Sequence, residues 1–355
     1  MDRIKLVVSD FHIGPGARLA DSSLNPMEDF PSDRVLVEFL EYYSTGRYTD
    51  TDVELIINGD FLNIIQQEVQ GVCPHEIDCA TALAQTRAII TGRSRIFDAL
   101  ADFAAMPGKS IRYIVGNHDV QLLFSEVKQL LVERIGGAFQ IEDRYYHFDD
   151  VYIEHGDLYE PVHRVEANRR FVYAKGEPKY INIPWATFFF IRFLRPAKRR
   201  RPYIDKVKPF RSYLTWAAIY DFGFYLRTML SVSLWTLWAA LFGHVGEQRF
   251  GLRSLWALFK QLKGNPEFRW VKRHLSRRDI NTVILGHTHI PMFRPFDGGQ
   301  YFNTGAWNGI TNLDASRLGH HMIYTYALLE EVDGHWQTGL KVWQGMHHFY
   351  RNFIR

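Results

Sequence analysis

The sequence predicts an α/β fold interrupted by a largely helical insertion. Three observations carry that prediction. Short apolar runs rich in β-branched residues alternate with helical stretches. Five of these runs end in Asp, Asn or His. A basic, aromatic segment over 161–280 separates the fourth such run from the fifth.

The elements follow in order. "IKLVVS" (4–9) reads as a buried strand that stops at Asp10. Gly14, Pro15, Gly16, Pro26 and Pro31 make 14–33 a loop. "RVLVEFLEYYSTG" is a helix with Gly46 near its C-terminus, and "DVELIINGD" is a second strand reaching Asp60. Residues 76–105 are mostly helical, closed by Pro107 and Gly108. "SIRYIVGNHD" is a third strand, and "FSEVKQLLVERIGG" a helix with a Gly stop. "RYYHFDDVYIEHGD" holds two short strands, the second reaching His155. Beyond the insertion, "NTVILGHTH" is a strand, and "QYFNTGAWN", "MIYTYALLEE" and "GLKVWQG" form a terminal strand set. In open α/β sheets, sites form beyond the carboxyl ends of strands. Five polar strand ends would therefore meet in one pocket.

Composition sets the bounds. A chain of 355 residues with 46% hydrophobic content can bury a sizeable core. Cys73 and Cys79 are too few for a disulfide framework, so two reduced thiols in a cytoplasmic setting are expected. "MDRIKLVVSD" has no long apolar region and predicts no signal peptide. The net charge of +3 hides a split. Residues 161–280 hold 24 Lys/Arg against 7 Asp/Glu, leaving 18 against 32 elsewhere. Such a split points to a surface for anions: lipid headgroups, nucleic acid or a phosphorylated substrate.

The strand ends supply two carboxylates (Asp10, Asp60), one amide (Asn117) and four imidazoles (His12, His155, His287, His289). Mixed nitrogen and oxygen donors suit Mn, Fe, Zn or Co better than Ca. Seven donors exceed one tetrahedral ion and suit two ions sharing a carboxylate. Two ions about 3.5–4 Å apart can hold a hydroxide and clamp a phosphoryl group. A lone His at a strand end is more often structural. Accordingly His75, His163, His274, His320, His321, His347 and His348, which lie outside the pattern, are read as structural or exposed.

"SDFH" (9–12), "GD" (59–60), "GNHD" (116–119), "HGD" (155–157) and "GHTH" (286–289) occur in that order. Together they resemble the signature of the calcineurin-like metallophosphoesterases, over residues 1–160 and 281–355. The resemblance implies a β-sandwich flanked by helices and two divalent ions, foremost Mn2+. It implies one ion on Asp10, His12, Asp60 and His289, and the other on Asn117, His155, His287 and the shared Asp60. His118 would bind the phosphoryl group and protonate the leaving oxygen, with Asp119 orienting it. One position departs: many members read G-D-x-x-D, whereas "GDFLN" has Asn63, which puts in doubt a contact around the site rather than the site itself.

The insertion falls where UDP-2,3-diacylglucosamine pyrophosphatases of lipid A synthesis, within that family, carry a helical lid that holds acyl chains and meets the membrane. Those enzymes carry Arg where this chain has His118, and their lid is shorter. "INIPWATFFFIRFLRPAKRRRPY" joins an aromatic stretch to Lys198, Arg199, Arg200 and Arg201. Trp235 and Trp238 follow in "TMLSVSLWTLWAALFGHVG". These are the expected membrane or substrate contacts. An ordinary helical cap with a solvated basic face is the plainer alternative. The 19 uncharged residues 228–246 approach the length of a span. However, a single crossing would leave His155 and His287 on opposite sides, so no transmembrane span is expected. The expected function is a cytoplasmic, membrane-peripheral phosphohydrolase of a lipid-like phosphodiester or pyrophosphate. The alternative is a nuclease or nucleotide phosphatase whose insertion binds nucleic acid. A third reading, a scaffold with a dead site, is disfavoured by the complete donor set.

Overall fold

A computed structural model describes residues 3–18, 22, 25, 27–30, 33–69, 71–160, 162–165, 169–201, 204, 207, 210–242, 244–245, 248–249, 266–277, 279–312, 319–346 and 351–352. Residues 250–265 of the insertion, and His347 and His348, lie outside the described residues.

Two sheets pack face to face. In the first, β1 (Arg3–Val8), β2 (Asp52–Asn58), β3 (Lys109–Ile114) and β4 (Phe139–Glu142) run parallel. Tyr324–Val332, His335–Trp343 and Arg351–Asn352 extend it antiparallel beyond β1, to seven strands. The second sheet has five strands. β5 (Tyr145–Phe148) pairs antiparallel with β6 (Val151–Glu154), which lies parallel to Thr282–Leu285. Gly299–Asn303 and Met292–Phe296 complete it. Pro295 sits in the outermost strand, where the missing N–H costs no ladder bond.

The two-residue period of the strands explains the layering. Val7, Ile56 and Ile114 point between the sheets and meet Val151, Ile153, Ile284 and Phe302 of the second sheet. Their neighbours Leu6, Val8, Leu55 and Ile57 point the other way, onto helices. Those helices are α1 (Asp33–Tyr42), α2 (Cys79–Gly92), α3 (Ser94–Ala105) and α4 (Ser125–Ile135). Phe39, Ile89, Phe97 and Leu131 are among the side chains they contribute. A strand buried on both faces needs a continuous apolar run, which the second halves of β1 (Leu6–Val8) and β2 (Leu55–Ile57) have, whereas β3 keeps the half-buried Ser110 and Arg112. The expected helical stretch 76–105 is two helices, broken at Arg93. The sandwich flanked by helices matches the expected fold class.

The insertion is helical after a start that the sequence reading missed. It opens with a hairpin, Phe171–Ala174 against Glu177–Ile181. Trp185–Phe189, a π-helical turn Phe190–Leu194 and Arg195–Arg200 follow as one bent rod. Helices Phe210–Tyr220, Phe222–Phe242 and Pro266–Leu275 come after. Ile181, Ile183 and Phe188 join the helix-side core, while Val271 and Leu275 pack beneath the second sheet. Both ends of the insertion are thus anchored to the body. Among the described residues, no helix is long and apolar enough to cross a membrane.

Ile284 tests the sandwich. Removing a buried aliphatic side chain from a packed interface costs about 2–5 kcal/mol. Ile284→Ala should lower the urea midpoint accordingly with an unchanged slope. A loss below about 1 kcal/mol would contradict the face-to-face packing.

Candidate metal centre

The polar groups are delivered by backbone turns that few residues adopt. Asp10, His12, Asp60, His287 and His289 all have left-handed φ, between 52° and 69°. Non-glycine residues rarely enter that region, and its cost is tolerated where function requires the geometry. Each turn follows directly on a strand, so the strand ends aim their next side chains at one point. Glycines make room for the convergence. A Cβ on Gly59 would lie 2.5 Å from the His155 ring, and one on Gly116 2.5 Å from the Asp60 amide nitrogen.

Asp10, His12, Asp60, Asn117 and His155 are buried, with His287 and His289 at the rim. Asp10 accepts the His287 amide at 2.9 Å and faces His289 Nε2 at 3.3 Å. Asp60 accepts the His118 amide through Oδ1 at 2.7 Å. Its Oδ2 lies 3.3 Å from His155 Nε2 and 3.9 Å from His12 Nε2. His12 and His289 point their Nε2 atoms at each other across 3.0 Å. Asp10 with His12 and His289 forms one group able to hold a cation; Asp60 with His155 and His287 forms a second. Asp60 also belongs to a third group, with His12 and His118, so its carboxylate lies between the two.

Several buried atoms here lack the partner that burial demands. Asp10 Oδ1, Asn117 Oδ1 and His155 Nε2 make no hydrogen bond of acceptable geometry. An unpartnered buried polar atom costs about 1–3 kcal/mol. Three at one point, all of ligand type, fit divalent cations. The nitrogen and oxygen mixture fits transition ions.

The electrostatics agree. Burial pushes Asp10 up, yet His155 and His289 together hold it down at about 2. Asp60, likewise opposed by burial, is pulled well below the carboxylate range by His155 and His118. Burial presses His155 down, but the Asp60 and Asp10 carboxylates raise it well above 6.5. Burial and the neighbouring His118 and His289 keep His12 far below its usual value. Burial presses His287 down, but the Glu160 carboxylate beside it raises it above 6.5.

Asp119 does not orient His118, contrary to the expected role. Its carboxylate accepts from the Gly116 amide at 2.6 Å, the Phe61 amide at 3.0 Å and the Tyr113 hydroxyl at 2.6 Å. It ties the loops after β2 and β3 together, and all its near donors lie on that seam. Asn63 is the partner instead, with Oδ1 2.9 Å from His118 Nδ1. The only signal for it was its place in "GDFLN", three positions after Asp60. The sequence reading also missed Glu160 and treated His163 as structural or exposed. Glu160 Oε2 lies 3.3 Å from His287 Nε2, and the His163 ring packs edge-on against His287 at 4.7 Å. A cleft opens beside the centre, lined by Asn117, Asp157 and His163 with Arg144 and Arg170.

The expected contacts of the insertion are redistributed. Lys198 is not a surface charge: it is fully buried and bonds Asp29 at 2.9 and 3.1 Å. Arg199 bonds Glu68 at 2.6 Å, as Arg195 does also. Arg201 bonds Asp221 at 2.6 Å, and Arg200 is exposed. Their partners are acidic residues far away in sequence, which no local pattern reveals. Trp235 is half-buried, stacked on Phe188 with centroids 5.1 Å apart, whereas Trp238 is exposed. Phe190 lies 6.5 Å from His118, so the π-helical turn roofs the centre.

No family model matches the chain, and no curated protein matches it. Solved structures do. A conserved Streptococcus pneumoniae protein described as a predicted phosphoesterase shares 11% identity at a TM-score of 0.32, covering 100% of this chain and 99% of its own. Zinc-complexed Vps29 of Entamoeba histolytica shares 11% at 0.30, covering 98% and 96%. The phosphopantetheinyl hydrolase of Mycobacterium tuberculosis shares 13% at 0.30, covering 86% and 90%. These likenesses are distant, and the functional reading rests on the centre itself.

His155 yields a pH prediction. Its folded-state value is raised, so its contribution to stability is full below pH 6.5 and is lost as pH rises through that higher value. A cation must displace its proton. Adding Mn2+ to metal-free protein at pH 7 should release a proton, seen by calorimetry as a buffer-dependent heat. A heat independent of buffer ionisation would contradict the assignment.

Proposed function

We propose that the chain is a dinuclear metal-dependent phosphohydrolase acting on a phosphodiester or pyrophosphate of a membrane-associated substrate. The observation that carries this reading is the convergence of Asp, Asn and His side chains from five strand ends, three of which (Asp10, Asn117 and His155) bring a buried atom with no hydrogen-bond partner. Asp10, His12, Asp60 and His289 would hold one ion, and Asp60, Asn117, His155 and His287 the other. When bound, such ions supply charge neutralisation for a phosphoryl group and an activated nucleophile at neutral pH. Mn2+ is the expected occupant, with Fe, Zn or Co as alternatives.

His118 acts beside the ions and not as their ligand. Asn63 holds its Nδ1, which leaves Nε2 for the substrate. Burial lowers its proton affinity, opposed by the Asp60 carboxylate. The amide partner adds no charge to hold an imidazolium. Donation of a proton to the leaving oxygen is therefore favoured only when the phosphoryl oxygens are close. The Phe190 ring stands edge-on to it, with centroids 6.5 Å apart.

Activity on bis-p-nitrophenyl phosphate tests this reading. Asp60→Ala should lose both ions and all activity. His118→Ala should keep its metal and lose about 10²–10⁴ in rate. Asn63→Asp would place a negative charge against the ring, raise its proton affinity and move the alkaline limb of the pH–rate profile upward. An Asp60→Ala protein with full metal content and activity would sink the proposal.

The membrane reading rests on an apolar face. Leu226, Leu230, Leu234, Leu237 and Trp238 are all exposed on the helix Phe222–Phe242, at steps of four, four, three and one. Ile219, Tyr220 and Phe222 continue the exposed surface. A run of this kind marks an interaction site, and one helix face in a lipid interface is the simplest occupant. A small apolar pocket lies behind it, lined by Phe189, Phe193, Tyr213, Phe224 and Met229. Peripheral attachment at a cytoplasmic membrane surface, with a diacylated sugar nucleotide such as UDP-2,3-diacylglucosamine as substrate, is the finer form of the proposal. Leu230→Ser with Leu234→Ser and Trp238→Ser should abolish co-sedimentation with liposomes and spare hydrolysis of the small diester. Unchanged sedimentation would remove the membrane. A loss of nucleic-acid binding alone would favour the nuclease reading.

A further inference from the structure

We propose that Glu160 is a positioning residue: its carboxylate accepts the Nε2 proton of His287 and so fixes the tautomer that leaves Nδ1 free as a metal ligand. The inference rests on the two-ion reading above. An imidazole ligand must offer a lone pair at one nitrogen and carry its proton on the other. A carboxylate beside one nitrogen decides which is which and strengthens the remaining donor.

The geometry is specific. Glu160 Oε2 stands 3.3 Å from His287 Nε2. The backbone of His287 is fixed independently, by its left-handed φ and by its amide bond to Asp10. Only the ring orientation is left to be set. His163 contributes the second restraint, with its ring edge-on to His287 at 82° and its Nε2 3.7 Å from the same Glu160 oxygen. Glu160 is itself held. Its amide bonds the Asp157 carbonyl at 3.1 Å, and its carbonyl accepts the His163 amide at 3.0 Å. The preceding Tyr159 is buried, bonded to Glu154 and stacked on Trp270 of the insertion's last helix. The positioning group thus sits where the catalytic body hands over to the insertion.

Glu160, His163 and His287 also lie close enough to hold a cation of their own. That arrangement is disfavoured by proton count. A His287 serving an ion at each nitrogen would have to lose both protons, which an imidazole does far above neutral pH. A carboxylate at Nε2 satisfies the ring without that loss.

The test is a Co2+ titration of metal-free protein, followed by visible absorbance and by metal analysis after gel filtration. Wild type should take up two ions. Glu160→Ala should bind one of them about 10–100-fold more weakly and the other normally. Glu160→Gln keeps a carbonyl acceptor and should recover most of the loss, a rescue that a merely structural role would not show. Equal weakening of both ions, or no change in Glu160→Ala, would overturn the proposal. A third ion in wild type that is absent from Glu160→Ala would overturn it in favour of a separate cation site. Fewer than two ions in wild type would instead remove the two-ion reading on which it stands.

Discussion

The constraint on which the rest depends is the cost of placing two carboxylates and four imidazoles at the mouth of a dry sandwich. Asp10 and Asp60 are buried, and charges without compensation are strongly disfavoured there. Every local device serves their placement. The left-handed turns bring the side chains in from separate strands, and Gly59 and Gly116 admit the close approach. Asp119 binds two loops through three donors, so the strand ends cannot drift apart. His155, and to a lesser degree His287 beside Glu160, are drawn toward the charged form by the carboxylates around them. The unpartnered atoms Asp10 Oδ1, Asn117 Oδ1 and His155 Nε2 are the places where a bound cation would touch.

The strands and the seven donors could be read from sequence because both signals are local. Apolar runs in β1, β2 and β3 reveal strands by composition, and a polar residue at the end of such a run marks itself. The partners could not be read in this way. Asn63 looked like a departure from a motif, yet it is the group that holds His118. Asp119 follows His118 directly, but a neighbour in sequence need not face the same way, and its carboxylate turns toward Tyr113. Glu160 and His163 carried no pattern, because their meaning comes from a residue more than 120 positions later. The hairpin that opens the insertion was missed for a similar reason, since Pro178 and the turn at Lys175 and Gly176 broke the apolar alternation.

The insertion shows how a charge split can mislead. A segment with 24 cationic and 7 acidic side chains, on a body with the opposite balance, suggested a free basic face. Part of that imbalance is answered within the molecule. Lys198 pairs with Asp29, and Arg195 and Arg199 pair with Glu68, all three bonds reaching from insertion to body. Cations on one segment and anions on the other are what an intramolecular dock requires, as much as an external one. Removing one partner of a buried pair strands the other, at about 3–5 kcal/mol. The buried Lys198 therefore fixes the roof near the centre more firmly than the exposed Arg200 could.

With those three cations engaged, the helix Phe222–Phe242 offers a second, uncharged surface feature. The helix Phe222–Phe242 presents leucines at helical spacing to solvent, and their burial would be worth about 25 cal/mol per Å² whatever the salt concentration. Electrostatic attraction by exposed arginines falls off over about 8 Å at physiological ionic strength. The two contributions thus divide the insertion by function. The Lys198–Asp29 and Arg195–Glu68 pairs tie the insertion to the body from inside, while the leucines of Phe222–Phe242 face outward. The pairs that hold Phe190 near His118 do not involve that outer helix. The strand ends, and the polar side chains they carry, stay where the sandwich puts them whatever covers that outer helix.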